Sequence, residues 1–78
     1  MIIKLNDFDK IKKFANTVCA FEEPIELSKE GDNVVYNAKS ILSLFAMDLS
    51  SPLNARIITN NAERVAIFER ELAEFVED

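Results

Sequence analysis

The sequence predicts a small α+β domain in the order βαββαβα: a four-stranded antiparallel sheet covered on one face by three helices. Three observations predict it. Segments with apolar residues at every second position alternate along the chain with segments where they recur every third or fourth. Nearly half the residues are apolar (49%), so a packed core is within reach and a folded rather than a disordered chain is expected. Finally, 78 residues with one Gly and two Pro suit a single domain, 1–78, made of regular elements joined by short turns. A lone sheet must cover its apolar face, and three helices on one side do so, which makes an open-faced β-sandwich.

Each element has a local reason. Ile2 to Leu5 is a short strand ending at the turn-prone pair Asn6-Asp7. Phe8, Ile11, Ala15 and Val18 then recur at helical spacing, with Lys10, Lys12 and Lys13 opposite, and Asp7 is the expected N-cap. This helix stops before Pro24, because the residue preceding proline disfavours the helical region. Ile25 to Ser28 alternates as a half-buried strand, Glu30 to Asn33 is a turn, and Val34 to Tyr36 is the return strand of a hairpin. Ser40 through Met47 has helical residue types capped by Ser40, and Ser50-Ser51-Pro52 breaks it. A fourth strand runs from Leu53 to Ile58. Asn60 with Glu63 resembles a capping box, and Val65, Phe68, Leu72 and Phe75 form the apolar stripe of the final helix. Its outer face carries Glu63, Arg70, Glu71 and Glu74.

Composition excludes several function classes. With no histidine, no imidazole chemistry is available. The net charge is −5 and the aromatic residues are not interleaved with a basic stripe, so neither nucleic acid nor an anionic membrane surface is an expected partner. Cys19 is the single cysteine, which precludes an internal disulfide and fits a reducing compartment; the first residues are too short an apolar run for a signal peptide, and the expected location is cytoplasmic. No residue pattern specifies a cofactor, a metal or a small-molecule ligand.

The segment Tyr36-Asn37-Ala38-Lys39-Ser40-Ile41-Leu42 resembles the one leading into the second helix of HPr, the histidine-containing phosphocarrier of the bacterial phosphotransferase system. There a hydrophobic residue is followed by Asn or Asp, an apolar residue, Lys, Ser, Ile and another apolar residue. Size, element order and the place of this segment in the chain agree with the HPr-like fold. The likeness in sequence is specific from Tyr36 to about Met47.

HPr proteins carry phosphate on a histidine at the start of the first helix, followed two residues later by an arginine. Here that junction is Asn6-Asp7-Phe8-Asp9-Lys10-Ile11-Lys12, with neither residue. Counting back from Ser40 puts Asp9 at the histidine position, whereas aligning the second strand puts Asp7 there. Either way a nitrogen nucleophile has become a carboxylate, and the resemblance implies a member that has lost the carrier role. A fixed negative charge at a helix N-terminus mimics instead the electrostatics of a phosphorylated state. This is similar in logic to catabolite repression HPr, a paralogue that lacks the histidine, keeps the regulatory serine and works as a corepressor.

The resemblance places Ser40 at the family's regulatory serine, phosphorylated in many Gram-positive bacteria by an ATP-dependent kinase. A phosphate at a helix N-terminus meets unpaired amides and the positive end of the dipole. The plainer role is an N-cap worth about 1 kcal/mol. Ile41, Leu42 and Phe45, with Lys39, match the patch through which HPr proteins dock their partners, while Leu44 and Met47 would face the core; in the plainer reading all five apolar residues are core. Ser43 stands where the family has glycine. Asp7 and Asp9 lie about 200° apart on a helix, which does not converge on one metal ion, so capping is the expected role. Cys19 lies beside the apolar stripe and is expected to be a buried or half-buried, inert thiol.

The expected function is that of a regulatory or adaptor module, not an enzyme, which binds a protein partner: HPr kinase, a transcriptional regulator or a phosphotransferase-system enzyme. Two alternatives stand beside it, a phosphoryl-transfer protein using Asp7 or Asp9 as acceptor and a structural subunit of a complex. The expected assembly is a monomer or weak homodimer.

Overall fold

The computed structural model describes residues 1–31, 33–40 and 51–76. Within them the chain is an α+β domain. Its strands are β1 (Ile2–Ile3), β2 (Ile25–Lys29), β3 (Val35–Asn37) and β4 (Leu53–Ile57); its α-helices are α1 (Phe8–Cys19) and α2 (Ala62–Glu71), followed by a 3-10 turn at Ala73–Phe75. The strands form one antiparallel sheet in the order β1-β4-β2-β3. The predicted second helix, from Ser40 to Met47, lies outside the described residues except for Ser40.

The two-residue period of the strands sorts their side chains between two faces. Ile3, Ile25, Leu27, Leu53, Ala55 and Ile57 point inward and are buried, in one core with Ile11, Phe14 and Val18 of α1 and Phe68 of α2. The opposite face keeps a cross-strand row of Ile2, Asn54, Ser28 and Val35, and beside it Arg56, Glu26 and Asn37. Arg56 and Glu26 pair there at 2.7 Å. That exposed pair adds little stability. Half of the pattern is thus apolar and half solvated, as an antiparallel sheet with helices on one side requires.

Local rules explain the helix starts. Asp7 is extended, and its Oδ1 accepts the Lys10 N–H at 2.9 Å, as expected of the N-cap. The α2 cap is Asn61, one residue later than the expected Asn60: its Oδ1 accepts from the Glu63 and Arg64 amides at 2.9 and 3.3 Å. The Thr59 hydroxyl oxygen accepts the Asn61 N–H at 3.1 Å and fixes the approach to that cap. Gly31 takes φ 84° in the β2–β3 turn, a conformation costly for any side chain.

Three expectations are corrected. Phe8 was expected in the buried stripe of the first helix, but it is 60% exposed, and Phe14 is fully buried instead. The inward stripe is Ile11, Phe14 and Val18, three and four residues apart; Phe8 falls on its flank, beneath Lys12 Nζ at 5.8 Å from the ring centre. The final helix ends at Glu71 rather than running through Phe75, which a tight 3-10 turn carries back onto the core. Cys19, expected to be buried or half-buried, is exposed at the last position of α1, because Val18 takes the inward direction there.

The chain ends knit the first strand in place. The Lys4 N–H donates to the Phe75 carbonyl at 2.9 Å, and the Phe75 ring meets Phe14 edge to face, with centroids 5.6 Å apart. The Met1 nitrogen donates to Asn54 Oδ1 and to the Ala55 carbonyl at 3.1 and 2.9 Å. Among the described residues no helix is long and apolar enough to cross a membrane.

Candidate functional site

The segment that carries the regulatory serine in the resemblance begins as a tight turn at the end of β3. Ala38 donates its N–H to the Ile25 carbonyl at 2.9 Å and is fully buried, which pins the turn to β2. The Asn37 carbonyl accepts the Ser40 N–H at 3.0 Å, and Asn37 Oδ1 accepts the Lys39 N–H at 3.0 Å. Asn is suited to this place because its side chain closes a local ring onto the amide two residues on. Ser40 is half-buried at the end of the turn. The amides it would cap, and Ile41, Leu42 and Phe45, lie outside the described residues.

Lys39 has a role that sequence reasoning missed. Its Nζ donates to the Phe21 carbonyl, just past the C-terminal end of α1. A cation there meets the negative end of the helix dipole. An open depression of about 480 Å³ lies beside this tether, lined among others by Glu22, Glu26, Tyr36, Asn37 and Lys39. The same junction holds a second device. Arg64 of α2 lies over the Phe21 ring at 5.3 Å and grips both oxygens of Glu23 at 2.7 and 3.2 Å. The Phe21 ring in turn packs edge to face on Phe68, with centroids 5.7 Å apart. Glu23 and Arg64 are 41 positions apart, and no spacing rule joins them. The only signal was a charged residue on the flank of each element.

The Arg64 guanidinium, through its hydrogen bonds, is the main reason the Glu23 carboxyl is held below its ordinary value of 4.5. The Arg64 group is correspondingly raised, first by its bond to Glu23. A carboxylate whose folded value is depressed adds stability that is present above the unfolded value and is lost as pH falls through the folded one. Arg64→Gln should therefore flatten the acid limb of the stability curve below about pH 4.5. Thermal unfolding followed from neutral into acid solution checks this. An unchanged acid limb would mean that the pair is not formed in solution.

The other predicted position is at the opposite end of α1. Asp7, Phe8 and Asp9 are all exposed, with Lys10 and Lys13 beside them around an open hollow of about 370 Å³. A twelve-residue helix spans roughly 18 Å, so the tether of Lys39 holds that residue away from the aspartates. Asp7 is engaged as a cap, and Asp7→Ala is expected to cost about 1 kcal/mol in chemical denaturation, with Asp7→Ser restoring most of it. Among the described residues, no three Cys, Asp or Glu side chains gather as metal ligands would. The chain matches no known family model and no curated protein sequence.

Proposed function

We propose that this chain is a regulatory or adaptor module with an HPr-like fold, including a helix over the segment after Ser40, and that it has shed the carrier chemistry of that family. It binds a protein partner in the cytoplasm through the segment from Ile41 to Phe45 and the start of α1, under the control of phosphorylation at Ser40. The observation that carries the reading is the state of the α1 start. The Asp7 carboxylate is spent on the Lys10 amide, while its neighbour Phe8 stands 60% exposed. An apolar side chain stands exposed between Asp7 and Asp9, the two candidates for the family's histidine position, and anchors of this kind carry much of the energy of protein interfaces.

Two further observations support the reading. The four-stranded antiparallel sheet with helices packed on its inner face suits the fold. The turn leading to Ser40 is fixed by Ala38, Asn37 and Lys39, so a phosphate added at Ser40 would stand on a rigid base. The cap bond to the Lys10 amide gives Asp7 a structural role that calls for no phosphoryl chemistry.

The test is intact mass after incubation with HPr kinase and ATP. A gain of one phosphate by the wild type, absent from Ser40→Ala, is the expected result. No gain in the wild type sinks the switch and leaves Ser40 a helix cap. Lys39→Met is expected to slow the modification by loosening the turn, without abolishing it.

A further inference from the structure

Lys39 precedes Ser40 in the chain, and its side chain is committed across the domain. The ammonium donates to the Phe21 carbonyl, and Phe21 is fixed to both helices. Its N–H donates to the Val18 carbonyl of α1 at 3.1 Å. Its buried ring lies under the Arg64 guanidinium and against the Phe68 ring, both of α2. A charged side chain thus joins the Ser40 turn to the place where α1 and α2 meet.

The present acceptor holds that charge weakly compared with a phosphate. A carbonyl past the end of a helix offers only a partial negative charge. A phosphate on Ser40 offers about −1.5 to −2 at pH 7 and three acceptor oxygens. It also stands close, since consecutive Cα atoms are about 3.8 Å apart and the lysine charge rides on a long flexible stem. The carboxylates around this spot are poor rivals. Arg64 grips Glu23, and Arg56 pairs with Glu26 at 2.7 Å. Glu22 lines the same depression as Lys39 but is exposed, where a single charge is screened.

We propose that Lys39 transmits the state of Ser40: a phosphate there draws the Lys39 ammonium off the Phe21 carbonyl, so that the modification is felt where α1 and α2 meet. This deepens the reading of Ser40 as a regulatory site and rests on it. The turn itself can stay in place during the exchange. Its bonds from the Ala38 N–H to the Ile25 carbonyl, and from the Lys39 and Ser40 amides to Asn37, do not involve the lysine charge. The element with two arrangements is therefore one side chain with two acceptors, and the phosphate biases the choice between them.

The test is nuclear magnetic resonance of the chain made by chemical synthesis with phosphoserine at position 40, which depends on no kinase. Relative to the unmodified chain, the Phe21 carbonyl carbon and the Glu22 amide of the same peptide unit should shift. Lys39→Met should move both in the same direction, because it removes the same donor. In a Lys39→Met chain the phosphate should then leave both resonances where they are. A phosphorylated chain whose Phe21 and Glu22 resonances keep their unmodified positions overturns the proposal. So does a shift of equal size with and without the lysine. Intact mass after treatment with HPr kinase bears on the regulatory reading alone, and whichever way it falls the synthetic chain decides the transmission.

Discussion

Replacing Phe14 with alanine is expected to remove about 3–5 kcal/mol of stability, the range for deleting a buried aromatic ring. The ring is fully buried and packs edge to face against Phe75 at 5.6 Å. A domain of this size is stabilised by roughly 0.05–0.15 kcal/mol per residue, so the loss takes a large share of the total. The melting temperature should fall on the order of 20 °C, since each kcal/mol is worth about 4–8 °C in a small domain. Denaturant titration checks the figure, and Phe14→Leu, which fills most of the space, should lose much less. A double-mutant cycle with Phe75→Ala should give a coupling of about 0.5–1.5 kcal/mol from the ring pair. A loss below about 1 kcal/mol for Phe14→Ala would show that the site collapses freely and that the core is not centred on this ring.

Phe8→Ala should behave in the opposite way. The side chain is 60% exposed, so stability should change by no more than about 0.5 kcal/mol, including the loss of its contact with Lys12. If the start of α1 is a docking surface, truncating its anchor should cost about 2 kcal/mol or more of binding, roughly a thirtyfold effect. The readout is kcat/KM for phosphorylation of Ser40 by HPr kinase, with Asn16→Ala, on the same helix and exposed, as a control. Equal rates for Phe8→Ala and the wild type would remove Phe8 from the docking surface. A large loss of stability would instead make it a core residue.

The contrast between these two phenylalanines shows how far a periodic pattern reaches. Both lie on one amphipathic helix, and the spacing Phe8, Ile11, Ala15, Val18 is helical. So is Ile11, Phe14, Val18, and the two stripes differ by only part of a turn. Spacing determines that a helix has an apolar side, while the direction of the sheet beneath determines where the side is centred. Asn60 and Asn61 pose the same problem at the start of α2. Either can cap, and the Thr59 hydroxyl, by holding the Asn61 amide at 3.1 Å, decides for the second.

By itself the sequence determined the alternation of strand and helix, the caps and turns at Asp7 and Gly31, and the inward rows of β2 and β4, because these depend on residues within a few positions of one another. It also determined the absence of imidazole chemistry, which is a matter of composition. Only the tertiary structure decided the strand order β1-β4-β2-β3, the clasp of Arg64 on Glu23 and Phe21, the tether of Lys39 to the Phe21 carbonyl, and the exposure of Phe8 and Cys19. Each of these joins or exposes groups far apart in the chain. Their energies arise when surfaces meet and water leaves, and a local pattern of residue types carries no record of which surfaces will meet.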